Sequence, residues 1–200
     1  MQWDILDKQT RYQGFFDVCH VRIRHDCFSG ANRMVIEREL IQRGDAVAVL
    51  PYDPQQDTVV LIEQFRIGAL QSSHGPWMIE TIAGLVEPDE ALAEVAHREA
   101  LEEAGCTLLE LLPIHHYYAT PGSSSERIGV FMARVDSRQL QDQAIHGLAH
   151  EGEEIRVHIL PVEQAFALLD SGRIESAMPI IALQWLRLNH DALRTRWHTP

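Results

Sequence analysis

Hydrophobic and polar positions change their period several times along the chain. Two alternating runs, VRIRHDCF and RMVIEREL, flank the turn residues Ser29-Gly30-Ala31-Asn32, which predicts an antiparallel hairpin. Gly14, ahead of Phe15 and Phe16, marks a turn or the start of a strand. DAVAVLPYD is a nearly continuous apolar run, as expected of a strand buried on both faces. TVVLIEQFR follows it after a Pro/Asp turn, and a Gly-Pro loop leads into a short strand from Trp77 to Ile82. The period then becomes helical, predicting a helix over about 90–104 with Asp89 as N-cap and Gly105 as a left-handed C-cap. LLELLPIHHYYA, RIGVFMARV and IRVHILP read as strands, the last two separated by a long loop over 137–154. Helices over 162–169 and 177–189 complete the pattern, the second capped by Ser176. Strands, one helix, strands, then C-terminal helices imply an α+β fold with a mixed sheet between helices.

Composition narrows the functional classes. The chain has 200 residues, 46% of them apolar, enough for one domain with a sizeable core or one domain plus an N-terminal extension. The hairpin suggests the division, 1–44 as a β-rich segment that packs across a two-fold axis and 45–200 as the main domain. A formal net charge of −12 with no basic stripe argues against a nucleic-acid surface. Cys19, Cys27 and Cys106 are odd in number and lack metal-site spacing, so they read as free thiols in a reducing compartment. No apolar run has the length of a membrane span and the first 20 residues lack a signal-peptide core, so the expectation is a cytoplasmic protein.

The candidate chemistry sits in residues 84–106. Glu99 and Glu103 lie one turn apart on one helix face, beside the i, i+4 pair Arg98 and Glu102. Acids at that spacing repel, and a hard cation or a guanidinium among them relieves the repulsion. Arg66, at a strand end, is either a phosphate ligand or a surface arginine. Phe15 and Phe16 are either core residues or a stacking platform for a base. The long loop carries Glu151, Glu153 and Glu154 so close together that the residues alone do not rank them as bases.

The segment reads G-x5-E-x7-R-E-U-x-E-E-x-G-U (U, aliphatic) without a gap, with Gly84, Glu90, Arg98, Glu99, Glu102, Glu103 and Gly105 at the fixed positions. Ala100 and Cys106 stand at the aliphatic positions. This is the Nudix box, and on it the chain resembles the Nudix hydrolases. The stretches RELIQRGDAVAVLPYDP, LIEQFRIGA, YATPGSSSER, HGLAHEGEEIRVH and IALQWLRL extend the resemblance to the bacterial ADP-ribose diphosphatases. Pro121, sixteen positions beyond Gly105, matches that group's mark for ADP-ribose, while Thr120 stands where close relatives often have serine.

The resemblance implies an α/β/α sandwich with an N-terminal antiparallel β unit used in dimerisation. It also implies Mg2+, with Mn2+ an alternative, at two to three ions per site. The Ala83 carbonyl, Glu99, Glu103 and Glu153 would hold the ions, and Glu151 would be the general base. Arg66 would meet a phosphate, while Thr120 and Glu126 would line the terminal ribose. Phe15, Phe16, Arg38, Glu39 and Arg43 would reach the adenosine half from the other subunit of a homodimer. Leu85 is carried over as a further substrate contact, and Gly84, Arg98 and Glu102 as supports of the box. The implied reaction is hydrolysis of ADP-ribose to AMP and ribose 5-phosphate. The rivals are another nucleotide sugar, such as GDP-mannose, and a non-catalytic ADP-ribose sensor.

Overall fold

A computed structural model of the chain describes residues 1–30, 32–148, 150 and 152–197. These gather into two units, one of Met1–Asp45 with Tyr117–Ile128, the other of Ala46–His116 with the residues from Gly129 onward.

The first unit is a three-stranded antiparallel sheet in the order β1 (Trp3–Gln13), β2 (Asp17–His25), β3 (Met34–Gln42). The expected hairpin is β2–β3. Strand β1 escapes pattern reading because it has no buried face: Trp3, Ile5, Leu6 and Tyr12 are all exposed. Residues 123–125 lie beside the end of β3. The Ile41 amide donates to the Ser123 carbonyl at 2.8 Å, and the Ser125 hydroxyl accepts from the Arg43 amide at 3.0 Å.

The second unit is built on strands β4 (Ala46–Asp53), β5 (Thr58–Phe65), β6 (Trp77–Glu80), β7 (Ile82–Leu85), β8 (Glu110–Tyr118), β9 (Arg127–Arg134), β10 (Ile145–His146) and β11 (Ile155–Pro161). The sheet order is β10-β11-β5-β4-β9-β8, with β6 on β5 and β7 on β4. The single strand expected over 77–82 is therefore two. At buried Thr81 the chain leaves β5, where Glu80 pairs Ile62, and joins β4, where Ile82 pairs Val49. That crossing brings Ala83 and Gly84 against β4.

Helices cover both faces. Helix α1 (Leu92–Ala104) buries Val95, Ala96, Ala100 and Ala104 against Val47, Val49, Val60, Ile62, Ile155 and Val157. Side chains alternate across a strand, so Ala48, Leu50 and Leu61 point the other way, toward α2 (Val162–Asp170) and α3 (Ala177–Trp197). Three expectations are corrected. Helix α1 starts at Leu92, because Asp89 is in a left-handed conformation (φ 67°) and Ala91 holds the N-cap position, its amide donating to Glu94 Oε2 at 2.9 Å. Helix α3 continues past Asn189 to Trp197, since His190 meets Asp57 at 2.6 Å and Leu193 and Trp197 are buried. The buried Ser176 hydroxyl makes no hydrogen bond, so it caps nothing.

The expected loop over 137–154 also has internal order. Buried Asp53 accepts the amide and the hydroxyl of Ser137, at 2.8 and 2.7 Å, and β10 pairs with β11. Among the described residues no helix is long and apolar enough to cross a membrane.

Candidate active site

The site in the second unit follows from the closeness of α1 to β7. A Cβ on Gly84 would overlap the carboxylate of Glu99, so the sequence needs glycine there to let the acid lie on the strand. One turn on, Glu103 is 3% exposed, and its Oε2 accepts the Ala83 amide at 2.9 Å. Burial raises the Glu103 carboxyl to about 8, with repulsion from Glu99 and Glu153 adding to it against the Ala83 hydrogen bond. Glu99 is raised too, by burial, with Arg98 pulling the other way.

Arg98 organises the outer side of this pair. Its guanidinium grips Glu90 through two hydrogen bonds of 3.0 and 3.1 Å, and meets Glu99 at 2.6 Å and Glu102 at 3.3 Å. It also donates to the Leu85 carbonyl at 3.3 Å. The bidentate grip uses the planar fork of arginine, which lysine lacks. Those bonds, foremost the pair to Glu90, raise the proton affinity of Arg98 and keep Glu90 ionised.

Arg66 is held by Glu80, its Nε donating to Oε2 at 2.7 Å, with Glu80 buried and Arg66 partly exposed. Glu80 was not foreseen. It lies on a four-residue strand among apolar neighbours, and a buried acid on a strand is the signal that could have pointed to it. The charge of Arg66 reaches Glu103, lowering its proton affinity slightly.

Glu153 adds a weaker repulsion to both Glu99 and Glu103. Glu151 lies outside the described residues. Among the described residues no three His, Cys, Asp or Glu side chains converge closely enough to form a finished metal cage by themselves. A buried carboxylate, Glu103, and a half-buried one, Glu99, both raised in proton affinity, still fit a hard divalent cation, whose oxygen ligands the chain can supply.

The first unit brings other expected residues together. The Arg43 guanidinium pairs with Glu126 at 3.0 Å and lies 4.9 Å over the Phe16 ring, which meets Phe15 edge to face. Thr120 is exposed, its carbonyl accepting the Ser123 and Ser124 amides. Arg38 and Glu39 are exposed on β3, with Arg38 donating to the Glu37 carbonyl at 2.7 Å. Phe15 is 78% exposed, which removes the core reading for it.

Comparison with known proteins identifies the family. The NUDIX domain model matches residues 42–180. The chain is 43% identical over 194 residues to ADP-ribose pyrophosphatase of Escherichia coli (strain K12), covering 97% of this chain and 92% of that protein. It is 43% identical over 197 residues to ADP-ribose pyrophosphatase of Haemophilus influenzae (strain ATCC 51907 / DSM 11121 / KW20 / Rd), covering 97% and 90%. It is 35% identical over 156 residues to GDP-mannose pyrophosphatase of Shigella dysenteriae serotype 1 (strain Sd197), covering 77% and 79%. A solved ADP compounds hydrolase shares the fold at a TM-score of 0.69 and 24% identity, over 94% of this chain and 95% of that one. With the box complete and its acids gathered on α1, the chain belongs to the NUDIX family of hydrolases.

Proposed function

We propose that this hydrolase cleaves the pyrophosphate of ADP-ribose to AMP and ribose 5-phosphate, with Mg2+ as its working cation, Mn2+ as a substitute, and two to three ions per site. The observation that carries the reading is 43% identity along 97% of the chain to ADP-ribose pyrophosphatases. The reaction consumes one water. Its oxygen joins one phosphorus, the bridging P–O bond breaks, and its protons pass to the base and the departing phosphate.

Glu99, Glu103, Glu153 and the Ala83 carbonyl are the proposed ligands. When bound, a divalent cation offsets phosphate charge and acidifies water. Glu151 is the proposed base, with Glu153 the runner-up. Arg66, fixed by Glu80, donates to a phosphate, and Arg98, Glu102 and Gly84 keep Glu99 in place. Leu85, 38% exposed beside the box, is proposed as a substrate contact.

The N-terminal segment 1–44 is proposed to form a homodimer, supported by the exposed Trp3, Ile5 and Tyr12 of β1. Phe15, Phe16, Arg38, Glu39 and Arg43 of a second copy then meet the adenosine half, with Thr120 and Glu126 serving the terminal ribose. Three free cysteines support a reducing, cytoplasmic setting.

A second reading, GDP-mannose as substrate, rests on the 35% identity to GDP-mannose pyrophosphatase. Measuring kcat/KM with Mg2+ for both compounds separates the two. A preference for ADP-ribose is expected; a preference for GDP-mannose overturns the substrate assignment.

A further inference from the structure

The acids on α1 are fixed by the helix itself, whereas Glu153 stands on the segment between β10 and β11 and needs something to place it. Two glycines show how it is placed. Gly105 caps α1 in the left-handed region (φ 59°), a conformation that asparagine also tolerates. Its bare α-carbon faces the His146 ring, and a Cβ there would come within 2.9 Å of His146 Cε1. His146 is the last residue of β10, paired with Ile155 of β11. The next residue, Gly147 (φ 103°), packs on Glu153, where a Cβ would lie 2.9 Å from the Glu153 carbonyl oxygen and 3.1 Å from its Cβ. The Glu153 amide donates to the Leu148 carbonyl at 3.3 Å, closing the turn. A chain of close approaches thus runs from the end of α1 through His146 and Gly147 to Glu153.

We propose that Gly105 is a seat as well as a cap: His146 resting on it, with Gly147 folded on Glu153, registers the Glu153 carboxylate on Glu99 and Glu103. His146, Gly105 and Gly147 are then positioning residues for the cation site, and the inference rests on the metal-site reading above. Capping alone asks of residue 105 only a left-handed backbone, whereas in the seat a Cβ there displaces the His146 ring.

The test is Mn2+ affinity, measured from the electron paramagnetic resonance signal of free Mn2+, in the wild type, Gly105→Asn, His146→Ala and the double variant. Gly105→Asn keeps the cap but intrudes on the ring, and it should weaken Mn2+ binding about tenfold, in the range of changes to groups that orient metal ligands. His146→Ala should weaken it by a smaller factor. The double variant should bind as His146→Ala alone, because the three atoms nearest the new Cβ all belong to the ring that is gone. Circular dichroism spectra like that of the wild type in all three variants separate a change in Mn2+ binding from a loss of fold. Wild-type affinity in Gly105→Asn, or losses that simply multiply, overturns the proposal. Should Gly105→Asn fail to fold, His146→Ala decides alone: weaker binding with an unchanged circular dichroism spectrum supports the seat, and wild-type affinity refutes it. Glu103→Gln is the control. If it binds Mn2+ like the wild type, the metal-site reading fails; if it loses Mn2+ while the other variants do not, only the seat fails.

Discussion

Glu103→Gln tests the electrostatics of the site without changing its shape. In the cation-free protein burial lifts Glu103 from an ordinary 4.5 to about 8. The folded state therefore holds this proton more tightly than the unfolded chain does. Its contribution to stability is fully present below about pH 4.5, the unfolded value, and is lost as pH rises through about 8. At about 1.4 kcal/mol for each tenfold change in proton affinity, the loss has a ceiling of roughly 5 kcal/mol. Glutamine keeps the volume and an acceptor for the Ala83 amide but carries no charge. In urea denaturation with chelator present, Glu103→Gln should match the wild type near pH 5 and exceed it by up to several kcal/mol near pH 9. Added Mg2+ should stabilise the wild type near pH 9 and leave the variant almost unmoved. Because the proton and the cation compete for one carboxylate, calorimetric Mg2+ affinity of the wild type should fall about tenfold per pH unit below pH 8. Parallel pH–stability curves for the two proteins, or a flat Mg2+ affinity, would refute the assignment of Glu103 as a buried ligand.

Gly84→Ala puts a methyl group into the Glu99 carboxylate, so Mg2+ affinity should drop about 10- to 100-fold while circular dichroism stays native. Arg98→Lys keeps the charge but cannot hold Glu90 through two bonds while meeting Glu99 and Glu102; kcat should fall by roughly tenfold with little change in the fold. Stopped assays across Mg2+ concentrations read this out. On the far face of the sheet, His190 and Tyr52 share Asp57 at 2.6 and 2.9 Å, pinning α3 to the β4–β5 turn. His190→Asn should lower stability by roughly 1–3 kcal/mol in urea and leave kcat/KM unchanged.

Much of the second unit could be read in the sequence because its signals are local. The apolar run of β4 is fully buried, the helical spacing of Glu99 and Glu103 survives in α1, and Gly105 stops the helix where expected. Non-local partners were invisible. Nothing near Arg66 in the chain names Glu80, fourteen residues away across a strand pair, as the acid that holds it. Helix α3 outran its expected end because its last turns are kept by Asp57 and by burial of Trp197, contacts that periodicity cannot register. Strand β1 was missed for the opposite reason, having no buried face to imprint a pattern. The left-handed Asp89 shows a limit of capping rules: a residue suited to cap a helix also suits the turn before it.

Hydrolysis of ADP-ribose is read by incubating the purified protein with ADP-ribose and Mg2+ and separating the products by anion-exchange chromatography. AMP and ribose 5-phosphate are expected in equal amounts, released only when the cation is present and nearly abolished in Glu103→Gln. ADP-ribose left intact, or products that form at the same rate with a chelator in place of Mg2+, would contradict it.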